Sequence, residues 1–554
     1  MKKGIILLFI CFSASLQAQN LDSLFNRFVE HRTPSGRIKV PIVASDAEKH
    51  KCNFGLMAQI RLNYNKFTTP QRNIIASLLS RPETDTSFVS PKKYFRIHYN
   101  NKVHGTNDIR PAYDVNKLAA AADSAYEFEV GYLGYPAPLT DNGAGGDDLY
   151  DIYIQEEGSN YGETVFETQT GGNRWVAFMR IDYDFGYYNN YDNFVPFYTT
   201  GINAARVTVA HELHHAIQIG NYPFRSEDVF YHEISSTSME EFVCDDVNDY
   251  VQYLPDFFNY SHTNFTNHGG YDLAIYDVFL KERFNYPILK DIWENIKDTC
   301  ALKAIDLALI KNGSSFINEL SNFYTWTFFT GFRSVDGKYF KDARKFPLLK
   351  PAMSVNYLSA EKMIMTSTDP VSCNLLLFVN KTLARPDSIF ALVTNGDYNH
   401  GYSSNTTECS YYLSPFSSLG ARQIASGYYT RLTSPVEEVL KDVNILNNVL
   451  VTGNNNISAE EISDPFPNPF NYSRHSNVAI PAPKGDSDES LLYIYSINMR
   501  PVYSGSLNVI KTDKLFVRWN GLDNNNSRLP NGVYFYFTKR GDSILKGKLV
   551  IQNE

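Results

Sequence analysis

The segment Val207-Thr-Val-Ala-His211-Glu212-Leu213-His214-His215-Ala216-Ile217-Gln218 constrains this chain more than any other. Apolar and small residues flank its polar groups, and Gly220 and Pro223 close it, so it reads as a buried helix from about Ala204 to Ile219. Residues four apart share a helix face, so His211 and His215 can present two imidazole nitrogens to one ion. Zinc accepts such nitrogens at ~2.0–2.1 Å. Glu212 is offset by one position and can reach a water beside the ion, where a general base must stand. A buried helix that merely carried several histidines would leave polar groups without partners, at a cost. His214 points about 100° away from His215 around the helix, which suits the surface or the groups behind the ligands. Gln218 reads equally well as an orienting group or as an ordinary polar position.

A third ligand must come from elsewhere, because no third histidine follows at the HExxHxxGxxH spacing. The downstream run is His232-Glu233-Ile-Ser-Ser-Thr-Ser-Met-Glu240-Glu241-Phe-Val-Cys244-Asp245-Asp246. Glu233 opens a helical pattern whose small residues, Ser235 to Ser238, let it approach the first helix, so Glu233 is the expected acidic ligand. Glu240, roughly 10 Å further along the axis, is the reserve. Glu240, Asp245 or Asp246 could instead accept an imidazole N–H behind the ligands. Among His262, His268, Tyr271 and Tyr276, Tyr271 is the first choice for a donor to a developing oxyanion. Asp147 and Asp148, in a Gly-rich turn over 143–148, could hold calcium, although a turn entering the strand 149–155 is the plainer reading. That strand could serve as an edge against which an extended peptide lies.

A chain of 554 residues exceeds one core, so two to four domains are expected. Lys2 and Lys3, the apolar run Ile5–Phe12 and Ala18 describe a secretory signal peptide over 1–18, too short to span a bilayer. Export permits disulfides, and Cys244–Cys300 and Cys373–Cys409 are plausible pairs. Without CxxC spacing, cysteine ligation of a metal is not expected. The net charge of −9 and the lack of any basic stripe argue against a nucleic-acid partner. Strands are expected at 94–99, 149–155 and 174–180. Helices are expected near 53–65, 73–80, 115–130, 204–219, 229–248, 271–283, 286–297, 300–311 and 314–322. After about residue 340 short extended runs such as 375–379 and 388–393 replace helical periodicity.

His211-Glu212-Leu213-His214-His215 with Glu233 resembles the gluzincins, zinc peptidases with an HExxH helix and a glutamate ligand on the next helix. The resemblance implies one zinc ion held by His211, His215 and Glu233, with Glu212 as base. Ile97-His98-Tyr99, Leu133-Gly134-Tyr135-Pro136, Asp151-Ile152-Tyr153 and Ser238-Met239-Glu240-Glu241 also look like pieces of a group of secreted bacterial metallopeptidases, with Ser238 where that group usually has an aromatic. Pro467-Asn468-Pro469-Phe470-Asn471, Leu492-Tyr493-Ile494-Tyr495, Arg518-Trp519-Asn520-Gly521 and Leu529-Pro530-Asn531-Gly532-Val533-Tyr534 resemble a type IX secretion sorting domain. That resemblance implies export through the type IX machinery to the cell surface or beyond.

The expected architecture is therefore multidomain. A signal peptide (1–18) and an N-terminal segment that could be a propeptide (19–90) precede an α+β zincin-like catalytic domain (91–340). A β-rich domain (345–445), a linker (446–466) and a β-sandwich sorting domain (467–554) follow. The expected activity is hydrolysis of an extended peptide or protein substrate. Its rival is an exported adhesin or glycan-binding protein whose metal site is inactive or structural, an idea supported by the 14% aromatic content.

Overall fold

The computed structural model describes residues 21–30, 32 and 51–553, apart from 105–107, 159, 187–196, 357–361, 381–386, 403–406, 415–421, 426–464, 466, 474, 512–514 and 542. The expected signal peptide and nearly all of the expected linker lie outside the described residues. The chain divides into two compact units, one of residues 1–252 with 269–308 and one of residues 253–268 with 309–554. Among the described residues no helix is long and apolar enough to cross a membrane.

The first unit opens with α1 (21–30), α2 (Phe54–Leu62) and α3 (Thr69–Leu78). Helix α3 starts at a capping box, with Thr68 and Gln71 satisfying each other's backbone donors. A five-stranded sheet follows from β1 (Thr86–Val89), β2 (Phe95–Tyr99), β3 (Tyr150–Gln155), β4 (Gly162–Gly171) and β5 (Arg174–Asp182), in the order β1-β2-β3-β5-β4. The three central strands are parallel, and β1 and β4 pair antiparallel at the edges. Helix α4 (Val115–Tyr126) supplies the crossover from β2 to β3 and continues as a wider π-helical turn over Glu127–Tyr132.

Helix α5 (Gly201–Asn221) lies across β4 and β5 and is buried almost all round from Ala204 to Gly220. Helix α6 (Val229–Val243) packs along α5, its small residues Ser235, Ser236, Thr237 and Ser238 buried between helices. Helix α7 (Leu254–Asn259) belongs to the second unit, whereas α8 (Ile275–Phe284) and α9 (Pro287–Ile296) complete the helical layer behind α6. This is a mixed α/β unit.

One sequence expectation changes here. Strand β3 is flanked by β2 and β5, so the strand expected to offer an edge to a peptide has none to offer. Among the described residues the outer strand on the α5 side is β4, which the sequence pattern did not reveal, because its buried half carries Glu163 and Thr164 where alternation would put apolar residues. The N-terminal helices are also part of this unit's core. Phe28, Phe54, Leu56, Met57, Ile60, Phe67 and Ile75 join Val165, Phe166, Trp175, Phe178, Ile219 and Phe224 in one cluster.

The contact between α6 and α8 contains a buried carboxyl, Asp277. It accepts from Ser235 (3.1 Å) and Tyr231 (3.3 Å), yet burial outweighs both bonds and pushes its pKa up to about 7. Folding therefore favours the protonated acid. That contribution is complete below the ordinary carboxyl range, near pH 4, and is lost as pH rises towards about 7. The stability of Asp277→Asn relative to the parent is expected to improve by up to a few kcal/mol between pH 4 and 8. Urea unfolding at several pH values checks this, and a pH-independent difference would contradict it.

Of the disulfides expected from sequence, Cys244–Cys300 does not form. Cys244 closes α6 with its thiol near the Arg206 guanidinium, while Cys300 precedes α10 (Ala301–Lys311), and both remain free thiols. Cys373 is buried in a strand of the second unit, and the side chain of Cys409 lies outside the described residues.

The second unit contains α11 (Phe316–Phe328) and a β-rich remainder. Strands β6 (Met353–Asn356), β7 (Lys362–Thr368), β8 (Ser372–Asn380), β9 (Asp387–Asn395), β10 (Thr407–Ser414) and β11 (Arg422–Ala425) form two three-stranded sheets, β6-β8-β9 and β7-β10-β11. The last six strands are β12 (Val478–Pro481), β13 (Glu489–Ser496), β14 (Pro501–Lys511), β15 (Leu515–Trp519), β16 (Gly532–Arg540) and β17 (Ser543–Ile551). They form a largely antiparallel, nearly closed sheet in the order β12-β15-β14-β13-β16-β17. Its two halves share one core around Phe470, Ile480, Leu492, Val517, Trp519 and Leu549.

Candidate metal centre

Helix α5 turns His211 and His215 towards the same point, and α6 brings Glu233 to meet them. Glu233 Oε2 lies 3.4 Å from the Nε2 atoms of both histidines. A fourth donor arrives from a direction the sequence did not suggest. Cys52, just ahead of α2, places Sγ 3.5 Å from His211 Nε2, His215 Nε2 and Glu233 Oε1. Zinc bonds of ~2.0–2.3 Å at tetrahedral angles put neighbouring donor atoms about 3.4–3.6 Å apart. The four buried side chains therefore fit a tetrahedral cation such as zinc in both chemistry and spacing. Cysteine ligation, set aside on sequence for want of a CxxC pair, returns through a single residue far from the helix in the chain.

Groups behind the donors fix their orientation. His211 Nδ1 lies 2.8 Å from Glu240 Oε1, and His215 Nδ1 lies 2.8 Å from Gln218 Oε1 and 3.0 Å from Ser236 Oγ. A proton on each Nδ1 leaves each Nε2 lone pair facing the centre. Gln218 is itself held, accepting from His232 Nδ1 (2.9 Å) and donating to His232 O and Ser236 Oγ. Phe54 stacks on the His215 ring at 3.9 Å, with the planes 8° apart.

The local field favours positive charge. Burial alone would lower the His211 pKa, but the Glu233 and Glu240 carboxylates raise it to about 10. Burial opposes the charge of Glu233, yet His215 and His211 bring its pKa down to about 2. Gly270 permits this packing. A Cβ there would meet Glu233 Cβ at 2.4 Å and Phe230 O at 2.6 Å, and its φ of +94° also suits glycine.

Glu212 is buried beside the donors but is not among them. Thr164 on β4 places its hydroxyl 2.7 Å from Glu212 Oε2 and 2.9 Å from the Glu212 carbonyl. Burial pushes the Glu212 carboxyl up, against His211, His215 and the Thr164 hydroxyl. Gly162, at the start of β4, lets the strand pack closely against α5, since a Cβ there would meet Thr208 Cγ2 at 2.6 Å and Arg180 O at 2.8 Å. Tyr271 meets the centre through Cys52. Its hydroxyl is 3.5 Å from Cys52 Sγ, donates to Cys52 O (3.1 Å) and accepts from Cys52 N–H (3.2 Å).

The remaining residues singled out on sequence separate clearly. Glu240 stands behind His211 rather than at the centre, and it also pairs with the buried Lys51, whose second partner is Asp249. Asp245 is exposed, and Asp246 is exposed and paired with Arg206 at 2.7 Å, so neither supports a ligand. His214 is fully buried rather than on the surface, 2.9 Å from Glu129 on the π-helical turn, and burial disfavours charge on both. Asp147 is held by Arg96, and the neighbouring Asp141 and Asp151 by Arg81. Neither Asp147 nor Asp148 joins a metal-capable cluster among the described residues, so nothing there adds to the calcium alternative, and the segment leads into β3 as the plainer reading has it. Sequence reasoning missed Lys51, Cys52 and Thr164. Five of the six cysteines lie beyond the expected signal peptide, and that odd number was the one signal that pointed towards an unpaired thiol.

No family model matches this chain, and no curated protein matches it. One solved structure, PorZ, described as an essential bacterial surface component of the type-IX secretion system of human oral-microbiomic Porphyromonas gingivalis, is similar over 30% of this chain. The match is 11% identical, covers 29% of that protein and has a TM-score of 0.14. The chain thus spans less than a third of the length of PorZ, and a likeness of that score defines no shared fold.

Proposed function

We propose that this chain is an exported zinc peptidase of gluzincin type, which cleaves peptide bonds with Glu212 as general base. The observation that carries this reading is a donor set spaced for zinc, with a buried carboxylate beside it that no ligand role explains. Zinc held there would supply Lewis acidity and make water nucleophilic at neutral pH. His211, His215 and Glu233 hold the cation. Glu212, steadied by Thr164, takes the proton of the attacking water and passes it to the departing amine. The Tyr271 hydroxyl reaches the same centre and donates to the developing oxyanion. The β4 edge offers backbone groups along which an extended substrate can lie.

The C-terminal residues 467–554 act, in this reading, as a type IX sorting module, on the strength of Pro467–Asn471, Arg518–Gly521 and Leu529–Tyr534. The secretion machinery is then a partner, and the cell surface or exterior the destination.

One observation favours a second reading. Four protein ligands make a closed set, as structural zinc sites have. Zinc stoichiometry and peptide-library cleavage separate the two, measured on the full chain and on Cys52→Ala, each beside its Glu212→Gln counterpart. One zinc per chain, with Glu212-dependent cleavage by either form, supports the peptidase. Bound zinc with no cleavage by any form leaves a structural site, and absence of zinc overturns both readings.

A further inference from the structure

We propose that Cys52 is a displaceable fourth ligand of this centre, and that residues 51–54 form a built-in plug that holds the peptidase latent. The latency rests on the peptidase reading, whereas the ligation stands on geometry alone.

Four observations converge on the same short segment. Cys52 Sγ occupies the position a tetrahedral ion would otherwise leave for water, 3.5 Å from the two imidazole nitrogens and from Glu233. A coordinated thiol gives up its proton, so the bound form is the thiolate, a stronger ligand than water. The backbone of the segment occupies ground a substrate would need. Lys51 O accepts from Tyr161 N–H (2.9 Å), next to the first residue of β4, and the Cys52 amide engages the Tyr271 hydroxyl assigned to the oxyanion.

The segment is also anchored on both sides of the cysteine. Lys51 is 1% exposed and its ammonium pairs with Glu240 and Asp249, so the carboxylate that orients His211 also holds the plug. Phe54 is fully buried against the rings of His215, His232, Phe166 and Phe224. A purely structural site needs neither a base nor an oxyanion donor, yet Glu212 and Tyr271 both border this one. Opening exchanges the Cys52 sulfur for water while the three other ligands stay. No bond of the chain is broken and nothing is oxidised.

The test uses the full chain loaded with Zn2+ for X-ray absorption, and with Co2+ for the near-ultraviolet sulfur-to-metal charge-transfer band. The parent is expected to show one sulfur at about 2.3 Å from zinc, together with the cobalt band. Cys52→Ala is expected to lose both signals, keep one ion, and cleave a peptide library roughly tenfold faster or more. Cys244→Ala should keep the signals of the parent. A parent whose ion has no sulfur neighbour overturns the ligation even if no variant folds. A sulfur signal with equal cleavage by parent and Cys52→Ala overturns the latency. A sulfur signal lost in Cys52→Ala, with no cleavage by either, upholds the ligation and sinks the peptidase reading instead.

Discussion

Glu212→Gln, made in the Cys52→Ala background, is expected to lower peptide cleavage about 100- to 10 000-fold without loss of the bound ion. Glutamine keeps the size of the side chain and can still accept from Thr164, whose hydroxyl lies 2.7 Å from the native carboxylate. What it cannot do is take a proton from water. The ligands His211, His215 and Glu233 keep their supports from Glu240, Gln218 and Ser236, so metal content should be unchanged. Steady-state cleavage of a quenched peptide, with the metal measured in the same sample, reads both quantities. Residual activity within about tenfold of the parent would remove Glu212 from the chemistry, since a general base contributes more than that.

Glu240→Gln should produce the largest combined loss of metal affinity and stability. Its Oε1 faces His211 Nδ1 at 2.8 Å and its Oε2 pairs with the buried Lys51 ammonium. Removing a carboxylate behind a ligand typically costs 10- to 100-fold in metal affinity, on the order of 1.4–2.8 kcal/mol. Breaking a buried ion pair destabilises by about 3–5 kcal/mol, and the low end applies here because Asp249 remains beside Lys51. Asp246→Asn is the contrast, since its bond to Arg206 is exposed and worth less than about 1 kcal/mol. Chelator competition and urea unfolding on the two variants give the comparison. Equal effects would mean that the Lys51–Glu240 pair does not support the centre.

The helix bearing His211, Glu212 and His215 was legible in the sequence because its polar residues interrupt an apolar surround at a spacing that only one helical face accommodates. Glu233 was legible through the small residues after it, which announced a close helix–helix approach. Strand β4 was not, because Thr164 beside Glu212 and Glu163 paired with Arg32 are buried polar residues, and they erase the alternation that marks a strand. Cys52 escaped for a different reason. Its role depends on chain folding back from 159 residues away in sequence, and no local pattern records such a contact. Arg81 and Arg96 likewise form partly buried ion pairs with Asp141, Asp151 and Asp147, contacts between distant parts of the chain that no local pattern records. In the second unit the extended runs expected at 375–379 and 388–393 fall within β8 and β9.

The helices that carry Cys52 to the centre also clothe one face of the sheet, through Phe54, Met57, Ile60 and Ile75 against Phe166, Trp175 and Phe178. Excising them whole would leave that aromatic face bare to water. In the proposed latent peptidase, activation is then a matter of population: a locally unfastened minority in equilibrium with a fastened majority. The ratio is set by the packing of side chains that never approach the substrate. Thermal tolerance and dormancy become two readings of one free energy, so a sequence selected for a sturdier N-terminal wall would also be selected for a quieter enzyme.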